Sequence, residues 1–551
     1  MIYLYTLPGV AFNAPQFSVP LIKGYLKENK IESKQIDLSI KFFEKCVNSN
    51  YIKSKFNDYY LSLSNSDKKI VDDIDKYVGY LKSPKINTNK IIKSNEKLLN
   101  YLNIYSNYYN INWNRRGIGF NIKLSTIDEV LGFALDKENK MFDIALKTHH
   151  KVSDNDIHYL SVQFPFQLPY AIRFAKKIKR NSPNCKVIFG GDYITHIIKN
   201  TVELMEKCSD VDAFVFFGNH ETLVKVIESF NKKTVYNIPN AYIRDGNKII
   251  KNLSEKCNKL KIDYYVPSFE DLDLDKYVSN LRLIPLTLNY GCYHSKCNFC
   301  SRHFYYNGYC GYNLDKIFAL IKKLYIENKI QAIYFIDECV PPSILIKLAN
   351  YLISNKINIK WMVETRIDRQ LLDKNIAKLL YNSGCREISF GIESYNKKIL
   401  KDMNKQIDLK VAKKVMQNFF ESGISVSATF MIGYPTENIF NILRTLSFIK
   451  RFKYIDTFGL GVFNYMRNSI LVDNANLNEA SDLNLIYRKN NDNYVDLNKL
   501  IARFNATSKI KNFSNIRNKI LYRSEYMYLD RKIYSLNFTR QVKVNENKKF
   551  I

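Results

Sequence analysis

The sequence lacks the long apolar run that a membrane-spanning helix requires. No stretch of the 551 residues approaches the roughly 18–20 uninterrupted apolar residues that cross a bilayer. The first residues, MIYLYTLPGVAF, also lack the basic segment and the small-residue cleavage site of a secretory signal. We therefore expect a cytoplasmic protein without a membrane partner, in a compartment where thiols stay reduced.

Acidic residues are scarce relative to basic ones. The chain has 53 Asp and Glu against 83 Lys and Arg, a net charge of +30. An excess of this size permits nucleic acid, an anionic membrane or an acidic substrate as partner. The chain is also rich in the residues that A+T-rich codons encode together with Lys, so codon bias explains the charge equally well. Charge alone identifies no partner, and we do not expect a nucleic-acid-binding protein.

Three of the ten cysteines are close together in sequence. Cys292, Cys297 and Cys300 lie in the segment NYGCYHSKCNFCS, directly after the strand-like run RLIPLTLN. The other seven are scattered, and we expect them to be small buried apolar side chains. In a reducing compartment, three thiols at this spacing predict a metal site rather than disulfides.

Two kinds of metal site fit this spacing. A structural zinc ion needs four ligands. The available fourth ligands are His294, His303 and Cys310. No second Cys-x-x-Cys pair follows, however. An iron–sulfur cluster held by three cysteines leaves one iron open for another ligand.

After Cys300 the chain alternates strand-like and helix-like stretches. The strand candidates are 332–336, 359–363, 387–391, 425–433 and 457–462. Helical candidates lie between them, such as 314–328, 371–383, 407–422 and 436–452. With the strand before the cysteines, they predict about six βα units in a partial barrel of parallel strands. The cysteine loop then lies at the carboxyl end of the first strand, where barrels of this kind place their reactive groups.

Polar residues follow each later strand of the predicted barrel. They are Asp337 and Glu338, then Glu364 to Arg366, then Gly391 to Ser394, and finally Gly433 and Glu437. Carboxyl ends of parallel strands meet at one edge of the sheet, so we expect these residues to surround the cysteine loop.

The cysteines and this ordered set of strand ends resemble those of the radical S-adenosylmethionine (SAM) enzymes. In that family three cysteines bind a 4Fe-4S cluster, and SAM chelates its fourth iron. The usual spacing has three residues between the first two cysteines, whereas this chain has four, as in cobalamin-domain members of the family. The resemblance covers residues from about 282 to 465 and includes the segment KDMNK at 401–405.

The resemblance also implies which residues contact SAM. The implied contacts are Phe299, Asp337, Glu338, Arg366, Glu393, Ser394 and Gly433. In the family, a reduced cluster cleaves SAM to a 5′-deoxyadenosyl radical that abstracts hydrogen from the substrate. Such an enzyme needs an electron donor of the flavodoxin or ferredoxin type.

The N-terminal half predicts a second α/β unit, a doubly wound, Rossmann-like sheet. The first strand candidate is MIYLYTLP at 1–8, and a second ends near Asp37. Further strand candidates lie at 158–165, 186–192 and 212–218, and helix candidates include 168–180 and 221–231. Ligands of such sheets lie beyond the carboxyl ends of the strands. Before a radical SAM barrel, this unit resembles a cobalamin-binding domain.

The implied cobalamin contacts lie at or just after these strand ends. They are Ser161, Gly190, Gly191, Gly218 and Glu221. The cobalt-ligating pattern Asp-x-His-x-x-Gly is absent after the first strand. The segment from Asp156 to Ser161 matches it only partly and opens a later strand, so we interpret that match as coincidental.

We assign residues 1–265 to the cobalamin-type domain, with a mainly helical insertion at about 40–155. The partial barrel spans 266–465, and a basic, mainly helical cap spans 466–551. Residues 501–551 contain 12 basic and 3 acidic side chains, a net charge of +9. This tail is either a solvated cap or a surface for an anionic substrate or peptide.

The leading functional hypothesis is cobalamin-dependent C-methylation of a peptide or small-molecule natural product. The family also permits a non-methylating radical rearrangement or oxidation. An RNA methylthiotransferase is a further alternative, although such enzymes usually carry a second cysteine triad. A non-enzymatic cobalamin or iron–sulfur regulator belongs to another class, and it would not need the charged residues Glu338, Arg366 and Glu393.

Overall fold

The computed structural model divides the chain into two compact units. The first comprises Met1–Asn280 and Val472–Tyr487, and the second Leu281–Leu471 and Arg488–Ile551. The described residues are 1–10, 12–83, 88–109, 111–114, 117–120, 124–136, 142, 145–146, 152–218, 220–232, 234, 237–253, 266–279, 281–302, 309–474, 483, 486–487, 494–507 and 511–512. His303 and most of the basic tail lie outside this set.

The first unit contains a seven-stranded sheet. Its chain provides strands β1 Ile2–Thr6, β2 Ser33–Asp37, β3 Ile111–Asn114, β4 Gly117–Phe120, β5 Ile157–Ser161, β6 Lys186–Gly190, β7 Ala213–Val215, β8 Ala241–Asp245 and β9 Lys248–Asn252. The sheet order is β2-β1-β5-β6-β7-β8-β9, and β3 pairs only with β4. Within this sheet the neighbouring strands β2, β1, β5, β6 and β7 run parallel, as predicted.

The antiparallel pair β8–β9 at the edge of this sheet was missed from the sequence. It is closed by Gly246, whose φ of +56° lies in the left-handed region. Asp245 and Gly246 form the Asp-Gly dipeptide that favours tight hairpin turns, so a local signal was present.

Helices cover this sheet and fill the insertion. They are α1 Ser18–Glu28, α2 Leu38–Cys46, α3 Ser49–Lys55, α4 Asn57–Ser62, α5 Asn65–Asp72, α6 Ile74–Lys82, α7 Thr88–Tyr109, α8 Ile127–Leu135, α9 Leu168–Asn181, α10 Asp192–His196, α11 Thr201–Lys207 and α12 His220–Asn231. Leu4 of β1 and Ile188 of β6 are fully buried with Leu26 of α1 and Val226 of α12. Burial of this apolar set, at about 25 cal/mol per Å², holds the helices against the sheet.

Among the described residues, the second unit contains a sheet of seven parallel strands and three further strands outside it. Its strands are β10 Leu283–Leu286, β11 Asn289–Tyr290, β12 Cys310–Gly311, β13 Ala332–Phe335, β14 Lys360–Thr365, β15 Cys385–Glu393, β16 Ser425–Ile432, β17 Thr457–Val462, β18 Tyr465–Met466 and β20 Lys511–Asn512, while β19 Ile486–Tyr487 belongs to the first unit. The order β10-β13-β14-β15-β16-β17-β20 follows the chain. The six predicted strands are confirmed, and β20 adds a short seventh.

Helices follow the strands of this sheet. They are α13 Leu314–Glu327, α14 Pro342–Ser354, α15 Lys374–Asn382, α16 Lys397–Asp402, α17 Leu409–Glu421, α18 Ile439–Arg451, α19 Ile470–Asn474 and α20 Tyr494–Thr507. Within the part of the chain that the structure describes, no helix combines the length and apolar character needed to cross a bilayer.

The two faces of the barrel strands differ in chemistry. One face of the sheet packs against the helices, as the contact between Phe390 of β15 and Phe419 of α17 shows. Glu364, Ser389, Ser427 and Thr457 occupy one level of the opposite face, since they are partners in register. A closed barrel fills this face with bulky apolar side chains. Here it is polar, which suits a ligand-facing surface.

Gly384 permits the close approach of β14 and β15. Its φ is +103°, and a Cβ there would lie 1.9 Å from the carbonyl oxygen of Ile359. We expect Gly384→Ala to lower the free energy of unfolding by roughly 3 kcal/mol, through backbone strain and this overlap. Gly246→Ala is the control, since its φ is also positive but no atom lies within 4 Å of the added Cβ. Urea denaturation, monitored by circular dichroism, measures the stability of both variants. Equal midpoints for the two would contradict the proposed clash between the added Cβ and the Ile359 carbonyl.

Candidate metal and cofactor site

The three clustered cysteines lie on the loop after β10. Cys292, Cys297 and Cys300 are each half-buried. A tight turn joins the last two, because the Cys300 N–H donates to the Cys297 carbonyl at 3.2 Å. The Cys300 sulfur accepts the N–H of Arg302 at 3.5 Å. The thiols therefore lie at the carboxyl end of the first barrel strand, where the sequence predicts them.

Asp337 fixes the start of this loop. Its carboxylate accepts the backbone N–H groups of Leu288 and Asn289, at 2.9 and 2.8 Å, and its side chain is buried. Burial raises the pKa of Asp337 to about 7, although these two hydrogen bonds act to lower it. The resemblance implies a SAM contact for Asp337, whereas the structure places its carboxylate against the backbone of the cysteine loop.

We expect the stability contribution of Asp337 to depend on pH. Its pKa is raised by folding, so the contribution is complete below the unfolded value near 3.8 and is lost as pH rises through about 7. Asp337→Asn cannot titrate. The stability of the native chain should therefore decline relative to this variant between about pH 4 and pH 7, by at most about 1.4 kcal/mol per pH unit, and level off above that range. Thermal unfolding at several pH values measures the difference, and a constant difference would contradict the raised pKa.

The segment after α16 holds the other side of the cysteine loop. Asn298 donates its backbone N–H to the Met403 carbonyl at 3.1 Å and its amide to the Asp402 carbonyl at 2.9 Å. His294 donates from Nε2 to the Asn404 carbonyl at 2.9 Å. Burial lowers the pKa of His294 to about 4. Its ring is thus fixed to this segment through Nε2.

Lys405 brings a positive charge to the cysteine loop. Its Nζ lies 3.1 Å from a carboxylate oxygen of Glu393, and each side chain is 12% exposed. Burial raises the pKa of Cys297 to about 11, and the Lys405 charge acts in the opposite direction. Burial also acts to lower the pKa of Lys405, but Glu393 and the nearby thiols leave it raised, so the ammonium group is retained.

Gly391 makes room for this ion pair. A Cβ at Gly391 would lie 2.8 Å from the Glu393 carboxylate and 3.0 Å from Lys405 Nζ. Glu393 itself has a φ of +70°, which is unusual for a residue with a side chain. Strained backbone of this kind clusters at functional sites. Glu393 therefore occupies a strained position within the predicted site.

Two arginines add positive charge near the cysteine loop. Arg302 forms an ion pair with Glu338 at 2.9 Å. Arg366 donates to the carbonyl groups of Lys405 and Gln406, at 2.9 and 3.1 Å. Lys405 acts to lower the pKa of Cys297 and Arg302 that of Cys300, against the larger effect of burial, which raises both. Positive charge near the thiols also favours a bound anionic cluster.

The remaining predicted SAM residues differ in accessibility. Ser394 is fully buried, and its hydroxyl lies 3.4 Å from that of Thr445. Gly433, with a φ of +83°, donates its N–H to Glu437 at 2.7 Å, and burial raises the pKa of Glu437 to about 7. Phe299 is half-buried within the cysteine loop. Ser394 therefore supports the strand end from within, while Phe299 and Gly433 are partly accessible.

The structure adds two residues that were not among the predicted site residues. Cys339, expected only to be a buried apolar side chain, is buried but pairs with Cys292 through an isolated parallel bridge. Its thiol hydrogen-bonds Cys292 and is the main cause that lowers the pKa of that cysteine. The only signal was its position two residues after Asp337. Lys405 belongs to the segment KDMNK at 401–405 that carries the resemblance, but no role was predicted for it.

The cysteine loop carries groups of the kind that stabilise a bound iron–sulfur cluster. A cluster spreads its thiolates over different irons and is stabilised by hydrogen bonds and charge near the sulfurs. The N–H groups of Ser295 and His294 near Cys292, together with Lys405, provide these.

The predicted cobalamin residues of the first unit lie near the ends of neighbouring strands. Ser161 of β5 pairs with Gly190 of β6. A Cβ at Gly190 would lie 2.3 Å from the Tyr159 hydroxyl, and one at Gly191 would lie 2.4 Å from the Val162 carbonyl, so packing explains both glycines. Gly218 faces open space after β7.

Glu221 is part of α12 and forms an ion pair with Lys225 at 2.7 Å. Its side chain is 63% exposed. Of the five residues, Gly218 is thus the one whose surroundings leave room for a ligand close to the backbone. Ser161 is buried and bonded to Gln163.

A protein-family model matches part of the barrel. Residues 286–449 match the model of the radical SAM superfamily. A curated relative, an uncharacterized methyltransferase of Pyrococcus horikoshii, is 22% identical over 286 residues. That match covers 51% of this chain and 61% of the relative, so it spans less than two thirds of that protein.

Two solved structures share the fold across both units. One is OxsB, a cobalamin-dependent SAM radical enzyme with aqua-cobalamin and SAM bound; the match has a TM-score of 0.59 and 13% identity, and it covers 98% of this chain and 75% of OxsB. The other is TsrM of Kitasatospora setae, a radical SAM methyltransferase with tryptophan and a SAM analogue bound; its TM-score is 0.55, with 11% identity and coverage of 86% and 76%. The predicted fold class is confirmed.

Proposed function

We propose that this chain, whose barrel is a radical SAM domain, is a radical SAM enzyme that also binds cobalamin. The observation that carries the proposal is the cysteine loop itself: three half-buried thiols at a strand end, held by Asp337 and surrounded by Lys405, Arg302 and Arg366. The shared fold with OxsB and TsrM supports the two-domain assignment.

Each residue of the site has a separate task in this proposal. When bound, the reduced cluster supplies the electron that cleaves SAM into methionine and a 5′-deoxyadenosyl radical. Cys292, Cys297 and Cys300 hold the cluster. Glu338 lies at the second strand end and offers a carboxylate for the SAM amino group. Its ion pair with Arg302 orients that carboxylate.

The charged side chains of Arg366 and Glu393 would also contact the bound SAM. Arg366 is fixed by two carbonyl groups and presents the rest of its guanidinium group toward a carboxylate ligand. Glu393 is held by Lys405 close to the strand end where the resemblance implies the ribose. Phe299 and Gly433 supply apolar and backbone surface for the adenine. This assignment extends the sequence-based site by Lys405 and Cys339.

The proposed reaction is cobalamin-dependent C-methylation of a peptide or other small natural product. Cobalamin, when bound to the first unit, supplies the methyl group, and a second SAM restores it. The open space at Gly218 supports a ligand at that strand end. The named methyltransferases among the relatives agree with this choice.

The test begins with the native chain, reconstituted with iron and sulfide and reduced. We expect 5′-deoxyadenosine to form from SAM, and cobalamin to copurify when cells are supplied with it. SAM labelled in its methyl group should transfer the label to the substrate. Candidate substrates are a peptide encoded by a neighbouring gene and a small molecule made by the products of neighbouring genes. If the fully reconstituted protein never forms 5′-deoxyadenosine, the chain is not a radical SAM enzyme. If 5′-deoxyadenosine forms but no label is transferred, only the proposed methylation is refuted.

A further inference from the structure

A row of hydroxyl side chains crosses the inner face of the barrel sheet, the face opposite the helices. Ser389 of β15, Ser427 of β16 and Thr457 of β17 are partners in register, and all three are buried; we call them the hydroxyl row. The hydroxyl groups of Ser427 and Thr457, and that of Ser425 one level below, have no hydrogen-bond partner among the described residues. Buried hydroxyls in native proteins are nearly always hydrogen-bonded, so three without partners on one face point to a molecule bound against it.

Two carboxylates share this face with the hydroxyl row. Glu364 of β14 is the register partner of Ser389, and Glu387 of β15 lies two residues before Ser389 on the same side of the strand. Glu387 is buried, whereas Glu364 is partly accessible. The Glu364 carboxylate accepts the hydroxyl of Tyr334 at 3.2 Å, which fixes its direction. The row therefore has an oriented carboxylate beside it.

Basic residues of the same strands lie at the margins of this face. Lys360 is the first residue of β14, four residues before Glu364 and about 13 Å away along the strand. Lys511 lies in β20 at the far edge of the sheet, four strands from β14 and about 19 Å across it. Arg366 follows β14 and is bonded to two carbonyl groups at the strand end. The middle of the inner face thus carries the negative charge of Glu364 and Glu387, which favours a cationic group on a ligand.

The inner face continues toward the proposed SAM site. A Cβ at Gly391 would lie 3.7 Å from the Thr429 hydroxyl on this face and 3.0 Å from Lys405 Nζ. Gly461 lies on the same face of β17, four residues after Thr457, and no atom lies within 4 Å of a Cβ added there. Four residues of strand measure about 13 Å. A molecule on the hydroxyl row therefore has space to extend toward the strand ends, where SAM would be cleaved.

We propose that Glu364, with the hydroxyl row, selects a substrate that carries a protonated primary amine. The inference deepens the proposed function and rests on it, because this molecule would be the one that the radical attacks. An ammonium group has three donors and no acceptor, and its hydrogen bond to a carboxylate is about twice as strong as a neutral one. Glu364 binds the ammonium group, while Ser427 and Thr457 bind polar atoms further along the substrate. A substrate whose only charge is a carboxylate or a phosphate is repelled by Glu364 and Glu387.

The test uses three probes of equal chain length that differ in charge, namely n-hexylamine, n-hexanol and hexanoate. Their binding to the reconstituted full-length chain with SAM is measured by isothermal titration calorimetry. We expect hexylamine to bind at least about tenfold more tightly than the other two, and Glu364→Gln to lose this preference. Glu327→Gln is the matched control, since Glu327 of α13 is also a glutamate but is 59% exposed on a helix. It should keep the native preference.

Two further variants separate a ligand contact from a structural one. Ser427→Ala and Thr457→Val should unfold at the native urea midpoint or above it, because neither hydroxyl has a partner to lose among the described residues. A lower midpoint in both variants would show that the hydroxyls support the fold, and it would oppose their assignment to the substrate.

Three results overturn the amine specificity. They are equal binding of the three probes, no binding of hexylamine by the native chain, and a preference for hexylamine that survives in Glu364→Gln. An equal loss of preference in Glu327→Gln would assign the effect to the overall charge of the protein and would also refute it. If the native chain forms no 5′-deoxyadenosine but keeps the preference, the proposed function fails and the amine site stands. SAM cleavage without a preference for hexylamine refutes the amine specificity alone.

Discussion

Replacing Cys297 with alanine is expected to abolish SAM cleavage. The chain would lose one of three thiolates that hold the cluster, and even outer partners of metal ligands contribute about 10–100-fold, so we expect a loss of more than about 100-fold. The measurement is 5′-deoxyadenosine formed per reconstituted protein, together with iron content and visible absorbance. Both iron and absorbance should fall with the activity.

Two further cysteines provide controls for this result. Cys310 is half-exposed in β12 and is one of the fourth ligands available to a zinc site, so Cys310→Ala separates the two metals. Its iron content and SAM cleavage should match those of the native chain. Cys339 touches Cys292 without being one of the three proposed ligands, and Cys339→Ala should keep the cluster. Full activity in Cys297→Ala, or equal losses in Cys297→Ala and Cys310→Ala, would contradict the assigned ligand set.

Replacing Lys405 with methionine is expected to slow SAM cleavage by about 10- to 100-fold while the cluster is retained. The positive charge beside the thiolates favours the electron-rich, reduced cluster, so its removal should move the midpoint potential to a more negative value. Electron paramagnetic resonance during a redox titration measures this potential. Lys405→Arg keeps the charge and should recover part of the rate.

A structural explanation for the Lys405 effect is tested separately. Lys405→Met leaves the buried carboxylate of Glu393 without its cation, and breaking such a pair costs about 3–5 kcal/mol. The double variant Lys405→Met/Glu393→Gln removes both charges and should regain much of that stability. If Lys405→Met itself keeps the native midpoint potential, the assignment of Lys405 is wrong.

Local sequence patterns account for the part of the site that was predicted. The cysteines lie within nine residues of one another, Cys292 to Cys300, so their shared role needs no knowledge of the fold. The six barrel strands are apolar runs bounded by turns, and strand ends of a parallel sheet meet at one edge. These two features together predict that Glu338, Arg366 and Glu393 lie near the cysteine loop, as the structure places them.

Contacts between distant parts of the chain account for what was missed. The segment KDMNK at 401–405 was noted from the sequence, but only the fold places its Lys405 against Glu393. Asp337 looked like a ligand-binding residue, but its carboxylate meets the backbone of a loop 48 or 49 residues earlier. Side-chain direction at a strand end depends on which neighbouring loop offers unpaired N–H groups, and a linear pattern does not contain that information.

The sequence by itself determined the two-part α/β architecture and the radical SAM resemblance. It also determined which three of the ten cysteines form a group. It determined these because hydrophobic periodicity and cysteine spacing are local properties of the chain. Only the tertiary structure decided how the cysteine loop is held, since Asn298 is bonded to Asp402 across 104 residues. It also decided that Lys405 lies against Glu393. Burial, strain and charge proximity arise only when such distant segments pack together.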